Sequence, residues 1–206
     1  FACLVVMIGL AACSSNNKSD EPQYVDDTAM ETIAKGYEAR QDVISEMEQN
    51  GENTETSKAY KKFINTELDI DKELKDAKFK DSQMQEDVLS YINSLQGQLD
   101  VVENNSPSSD SFYTEWSDAY DKRSSALKVL VEKYDLTVSD KYKDDFDDIV
   151  ANGTAATKKN EQADGLANNF NNVAWDCTDD GYGNYTYSAV VENTTQYTYS
   201  NVTLTL

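Results

Sequence analysis

The sequence predicts a mainly α-helical protein, an antiparallel bundle of four to five helices followed by a short β-rich fragment. Three observations lead there. From about Asp27 to Phe170 the apolar residues recur in steps of three and four, the spacing that puts them on one face of a helix. The two prolines, Pro22 and Pro107, both fall outside those stretches, as proline's lost N–H and fixed φ require. After Phe170 lysine disappears while Tyr, Thr, Asn and Val dominate, and the apolar period shortens to two, the mark of a strand with one buried face.

In the first helical segment Met30, Ile33, Tyr37, Ile44 and Met47 form the stripe, with Arg40 in one seam position, and Asn50-Gly51 is the stop. The second, about 55–77, carries Tyr60, Phe63, Ile64, Leu68, Leu74 and Ala77 on a less regular seam. The third, about 82–103, is the cleanest, with Met84, Val88, Tyr91, Ile92, Leu95, Leu99 and Val102, and Ser82 with Gln85 as its expected capping box. Residues 104–109 (NNSPSS) read as a loop. The fourth segment, about 110–135, offers Phe112, Trp116, Tyr120, Leu127, Leu130 and Tyr134, with Arg123 in the stripe. A fifth starts near Ser139 with Tyr142, Phe146 and Ile149, and either continues through Ala156 and Ala163 to Phe170 or breaks at Asn152-Gly153. Segments of 22–30 residues are roughly 33–45 Å long at the helical rise, and short loops pack them antiparallel.

Strands are expected over 172–178, over 185–191 with Tyr185, Tyr187, Ala189 and Val191 inward, and over 202–206. The turns between them are Asp179-Asp180-Gly181-Tyr182-Gly183-Asn184 and Glu192-Asn193-Thr194-Thr195-Gln196. Cys177 is expected to be a half-buried strand residue, or to pair with a cysteine beyond Leu206.

The chain opens on an apolar run, Leu4 to Leu10, followed by Ala11, Ala12 and Cys13 and then by the polar stretch from Ser14 to Asp20. About 12 apolar residues are too few to span a bilayer and suit a signal-peptide core. Leu10-Ala11-Ala12-Cys13 resembles the bacterial lipobox, in which a peptidase cuts before a cysteine already bearing diacylglycerol. The resemblance implies a signal peptide over 1–12, a lipidated Cys13 with a flexible tether over 13–26, and a place on the outer face of a cell membrane. The absence of a basic segment before the apolar run, and an end inside a strand-like run, make both ends read as truncated.

Composition excludes several function classes. Thirty-eight acidic residues against 18 basic ones give a formal charge of −20, which disfavours nucleic acid and electrostatic adhesion to anionic membranes. There is no histidine, which removes Ser-His and Cys-His nucleophile pairs and the usual zinc sites. Two carboxylate groups stand out, one of Asp144, Asp145, Asp147 and Asp148, the other of Asp69, Asp71 and Glu73. The first alternates with Lys141 and Lys143 opposite Phe146 and Ile149 and reads as a solvated helix face. Asp176, Asp179, Asp180 and Asn184 miss the EF-hand spacing and read as a hairpin turn. The sequence therefore predicts no catalytic residue, no cofactor and no metal site. Arg40 and Arg123 are the chain's two arginines. Both sit at seam positions, where pairing with buried carboxylates would fix the bundle's register.

Residues 185–195 (YTYSAVVENTT) and 197–206 (YTYSNVTLTL) resemble the opening strand, Asn-containing turn and next strand of an FxLYD-type domain, a small β-sandwich of Gram-positive surface lipoproteins. The resemblance covers about a fifth of the chain, and the F-x-L-Y-D stretch itself would follow Leu206. It implies that 172–206 is an incomplete β-sandwich fragment after an acidic bundle over 27–171, and it supplies no catalytic residue. The function expected from the whole is a non-enzymatic surface binding or spacer module with a cell-wall or protein partner. The alternative is a solute- or peptide-binding lipoprotein serving a transporter or envelope sensor; its groove would leave Trp116 and Tyr120 accessible, where a spacer would bury them.

Overall fold

The computed structural model describes residues 23–171 and 173–203. Leu10, Ala11, Ala12 and Cys13 lie outside the described residues. Five long helices follow one another: α1 (Asp26–Gln49), α2 (Ser57–Asp71), α3 (Ser82–Asn104), α4 (Asp110–Tyr134) and α5 (Lys143–Asn171). A hairpin of β1 (Asp176–Asp179) and β2 (Tyr185–Ser188) comes after them.

Three of the helices, α2, α3 and α4, start where a side chain satisfies free N–H groups. Thr56 accepts from the Ala59 N–H at 3.2 Å, and Ser109 accepts from the Phe112 N–H at 3.3 Å. The expected Ser82–Gln85 box is displaced by one residue. Asp81 is the cap, with Oδ1 accepting from the N–H groups of Gln83 at 2.9 Å and Met84 at 3.1 Å; a carboxylate is the stronger acceptor for a helix N-terminus. Asp26, in the first turn of α1, reaches across to the α2–α3 connection and accepts from the N–H groups of Lys80 and Asp81 at 2.9 Å. These bonds hold its carboxyl below the ordinary range.

The helices alternate in direction. Arg40 lies beside Glu67 and Gly36 beside Asp71, so α1 and α2 run opposite ways. Lys61 pairs with Glu103 across α2 and α3, and Asp87 pairs with Lys133 across α3 and α4. One continuous core joins Ile33, Tyr37, Ile64, Tyr91, Ile92, Leu95, Leu127 and Leu130. Each aliphatic side chain buried this way contributes about 1.5–3 kcal/mol. The second segment departs from the sequence reading: the α-helix ends at Asp71, and a 3₁₀ turn over Lys72–Leu74 carries Leu74 into the core.

The fifth segment does not break at Asn152-Gly153. It is one helix, and Gly153 is where it crosses α4: a Cβ there would strike the Ser124 carbonyl. Gly97, inside α3, has nothing within 4 Å of such a Cβ. Gly97→Ala is therefore expected to stabilise the protein by about 0.5–1 kcal/mol through helix propensity. Gly153→Ala should destabilise by about 1–3 kcal/mol because α4 and α5 must separate. Thermal unfolding of the two variants checks the opposite signs, and a stabilised Gly153→Ala would refute the close crossing.

The β region departs further. β1 and β2 pair antiparallel with Cys177 opposite Tyr187, and every residue of both strands is exposed, Cys177 included. The expected buried face is absent because two strands alone have nothing to close on. Among the described residues no third strand forms over 189–203. That segment lies on the end of α5, where the Tyr199 hydroxyl donates to the Gln162 carbonyl at 2.9 Å and Thr194 Oγ1 donates to Asn169 Oδ1 at 2.8 Å. Residues 204–206 lie outside the described residues.

Candidate functional site

Glu67 carries the site. Phe63, Ile64, Glu67, Leu68 and Asp71 share one face of α2, so the helix that delivers apolar residues to the core delivers two carboxylates with them. Glu67 is fully buried, and side chains from three other helices converge on it. Arg40 of α1 donates through Nη1 to Oε2 at 3.0 Å, and Arg123 of α4 donates through Nη2 to Oε1 at 3.0 Å and Oε2 at 3.1 Å. The Tyr91 hydroxyl of α3 donates to Oε1. Gln98, also of α3, accepts from Arg40 Nη1 at 3.1 Å. Aromatic faces cover the cations: the Arg40 guanidinium carbon is 4.7 Å from the Phe63 ring centre, and that of Arg123 is 5.6 Å from Tyr37.

Burial and mutual charge set the protonation of this cluster. Burial works to raise the Glu67 pKa, but Arg123, then Arg40 and the Tyr91 hydroxyl outweigh it, so Glu67 is held below the ordinary carboxylate range. Burial and the neighbouring Arg123 push Arg40 down to about 10, still high enough to keep its charge at neutral pH. For Arg123, burial acts downward and the Glu67 charge overcomes it, raising the group. Asp71 has no such cation in contact. Burial, with the charge of Glu67 added, lifts its carboxyl to about 9, so at neutral pH it is protonated. Neither of its oxygens has a hydrogen-bond partner. Gly36 of α1 makes the room: a Cβ there would sit 3.0 Å from the Asp71 carboxyl carbon. Two arginines, one ionised glutamate and a neutral aspartic acid leave the cluster with one net positive charge.

The arginines also face outward. A cavity of about 400 Å³ lies between α1, α4 and α5 with Arg40, Arg123 and Tyr37 in its lining. Tyr120, Ile44 and Ile149 line it too, and Glu48, Asp145 and Asp148, all exposed, stand at its edge.

Comparison of the chain with models of protein families, with curated proteins and with solved structures yields no match.

The structure brings Arg40 and Arg123 together on a buried carboxylate, as their seam positions predict. It divides the second carboxylate group: Asp71 turns inward, Asp69 pairs with Lys72 at 2.7 Å, and Glu73 accepts from Thr32 at 3.4 Å. Asp144, Asp145, Asp147 and Asp148 are exposed, with Lys143 bridging to Asp147 at 2.8 Å. The turn around Gly181 uses its own carboxylates. Asp179 accepts from the Gly181 N–H at 2.8 Å, and Asp180 accepts from the Tyr182 N–H at 2.8 Å and from Asn184 Nδ2 at 2.7 Å. Among the described residues no cluster of three or more carboxylates or cysteines is arranged to hold a metal ion. Trp116 stacks on Phe112 with ring centres 5.7 Å apart, and both Trp116 and Tyr120 are half-buried. Glu67 and Gln98 were not singled out by the sequence, and Asp71 was noted only as one of a carboxylate group with Asp69 and Glu73. The signal present was the i, i+4 placement of Glu67 and Asp71 on an apolar stripe.

Proposed function

We propose that this chain is a non-enzymatic surface lipoprotein, held at the outer face of a bacterial membrane by a lipid on Cys13, whose helical bundle acts as a spacer. The observation that carries the reading is the odd number of alternating helices. The chain enters at Tyr24, beside Lys78 at the α2–α3 end, and leaves after Asn171 at the other. The 29 residues of α5 alone correspond to about 43 Å at the helical rise. Such a module separates an anchor from whatever follows it. Residues 172–206 are then the first part of an FxLYD-like sandwich, a reading supported by the exposed Trp175, Tyr185, Tyr187 and Val190 around the hairpin. Those side chains suit a further protein surface better than water. Among the described residues no helix is long and apolar enough to cross a membrane, so attachment in this proposal falls to the lipid alone. A cell-wall or protein partner would meet the distal end, and the charge of −20 speaks against nucleic acid.

Expression in a Gram-positive host behind a complete leader tests the anchor. The unaltered chain is expected to take up radiolabelled palmitate and sediment with membranes, whereas Cys13→Ser should lose the label and appear in the medium. Membrane association unaffected by Cys13→Ser would remove the lipoprotein reading.

A second reading, solute or peptide binding, is favoured by one specific observation: both arginines of the buried cluster line an accessible cavity.

A further inference from the structure

We infer that the cavity between α1, α4 and α5 is a binding site for a small zwitterion, with its carboxylate on Arg40 and Arg123 and its cationic nitrogen against Asp145 and Asp148. The inference deepens the solute-binding reading and rests on neither Cys13 nor the hairpin.

The first argument is unused donors. Each guanidinium has five N–H groups in a planar fork. Within the cluster Arg40 donates only through Nη1 and Arg123 only through Nη2. Arg123 Nε is buried without any partner. Arg40 is 5 % exposed and Arg123 2 % exposed, and both residues line the cavity. Arg123 Nε itself is closed off, so it is the remaining Nη groups and Arg40 Nε that are left for a ligand. A carboxylate accepts from such a fork through two parallel bonds.

Charge is the second argument. Glu67 neutralises one of two buried arginines, and buried charge is stable only when paired; a bound monoanion completes the pairing. A plain anion, however, must approach a chain of net charge −20 past Glu48, Asp145 and Asp148. A ligand with its own ammonium group meets attraction at the edge and at the floor, and carries no net charge to be repelled.

Size and lining complete the case. About 400 Å³ falls within the range of about 300–1,000 Å³ common for small-ligand pockets. The lining is mostly polar, with an apolar share to which half-buried Ile44 and Tyr120 contribute, enough to suit a small aliphatic body between the two charged ends. The chemistry is that of an α-amino acid or the termini of a very short peptide.

Isothermal titration of the full chain with L-leucine, leucyl-leucine, N-acetyl-leucine, leucinamide and sodium acetate tests this. L-leucine or leucyl-leucine is expected to bind saturably, the preferred one distinguishing a free amino acid from a peptide. N-acetyl-leucine, which lacks the ammonium, and leucinamide, which lacks the carboxylate, should each bind about tenfold more weakly or worse, the loss of one charge-assisted contact. The double variant Asp145→Asn/Asp148→Asn changes only exposed residues. It should weaken the zwitterion about tenfold while N-acetyl-leucine, an anion that then passes two fewer carboxylates, binds no more weakly than before. Ser45→Trp fills the cavity from the half-buried face of α1 and should abolish binding with unaltered thermal unfolding. The inference is overturned if neither zwitterion gives saturable heat, if N-acetyl-leucine or acetate binds as tightly as L-leucine, or if binding survives Ser45→Trp.

Discussion

Replacing Glu67 with glutamine is expected to cost about 3–5 kcal/mol of stability. The change is nearly isosteric and retains an oxygen for the arginines, so packing alone would barely register it. What it removes is the anion. Arg40 and Arg123 would then face each other as unneutralised charges in a core where Glu67 is fully buried, and the partners of a broken buried pair bear the full cost of desolvation. Against a total of about 5–15 kcal/mol for a typical domain, the variant should unfold at a much lower urea concentration by far-ultraviolet circular dichroism. A companion variant, Arg40→Met/Glu67→Leu/Arg123→Met, separates charge from shape. If neutralisation is the role of Glu67, the triple replacement should lose less stability than Glu67→Gln, because it leaves no buried charge unpaired, the remaining loss coming from the Tyr91 hydroxyl and Gln98, whose partners it removes. A Glu67→Gln protein within about 1 kcal/mol of the parent would mean that solvent reaches the arginines and shields them.

Asp71→Asn should act in the opposite direction. In the folded protein the Asp71 carboxyl keeps its proton up to about pH 9, against an ordinary value of 3.8. Between those limits the folded state binds one proton more than the unfolded chain, so stability falls as pH rises, by at most about 1.4 kcal/mol per unit. Glu67, whose pKa is lowered, has the reverse sense: its contribution is complete above the unfolded value and lost as pH falls through the folded one. Together they place maximum stability at mildly acidic pH, about 4–5. Asparagine cannot ionise, so Asp71→Asn should raise stability near neutrality by on the order of 2–4 kcal/mol and flatten the decline on the alkaline side. Self-repulsion from the net charge of −20 also grows with pH, but it persists in the variant, so the difference between the two proteins isolates Asp71. Urea unfolding of both at about pH 5, 7 and 9 makes the comparison. Curves that superimpose throughout would show that Asp71 is ionised and hydrated in the folded state.

The helices were legible because burial on one side forces a period close to 3.6, and nothing else in a sequence produces it over twenty residues. α3 and α4 match their expected spans to within a residue or so for that reason. The early end of α2 was not legible: the apolar pattern runs on to Leu74 and Ala77, and a 3₁₀ turn satisfies it as well as another turn of α-helix. In the β region alternation was read as a buried sheet face, yet Tyr197 and Tyr199 set their half-buried sides against α5 instead. Alternation reports that one side is covered and says nothing of what covers it.

The site divides along the same line. Arg40 and Arg123 stood out because a cation on an apolar stripe needs a counter-charge. Glu67 did not, and Asp71 did only as a neighbour of Asp69 and Glu73, since a carboxylate on a stripe in a chain with 38 acidic residues looks like an ordinary interruption. The irregular seam of the second segment was the trace they left. Which carboxylate is ionised and which is protonated depends on the distance to the guanidinium groups, which only the folded arrangement supplies.

The contacts of Asp26 have a mechanical consequence. Its carboxylate holds two backbone N–H groups of the α2–α3 connection, and the Val25 N–H donates to the Lys78 carbonyl at 3.0 Å. A pull applied to the chain ahead of Tyr24 is therefore shared between α1 and the root of α3 from the first ångström of extension. The first turn of α1 cannot be peeled away by itself, because those crosslinks have to rupture together. Force arriving from that side is spread across the bundle as shear, the loading geometry in which packed helices yield last.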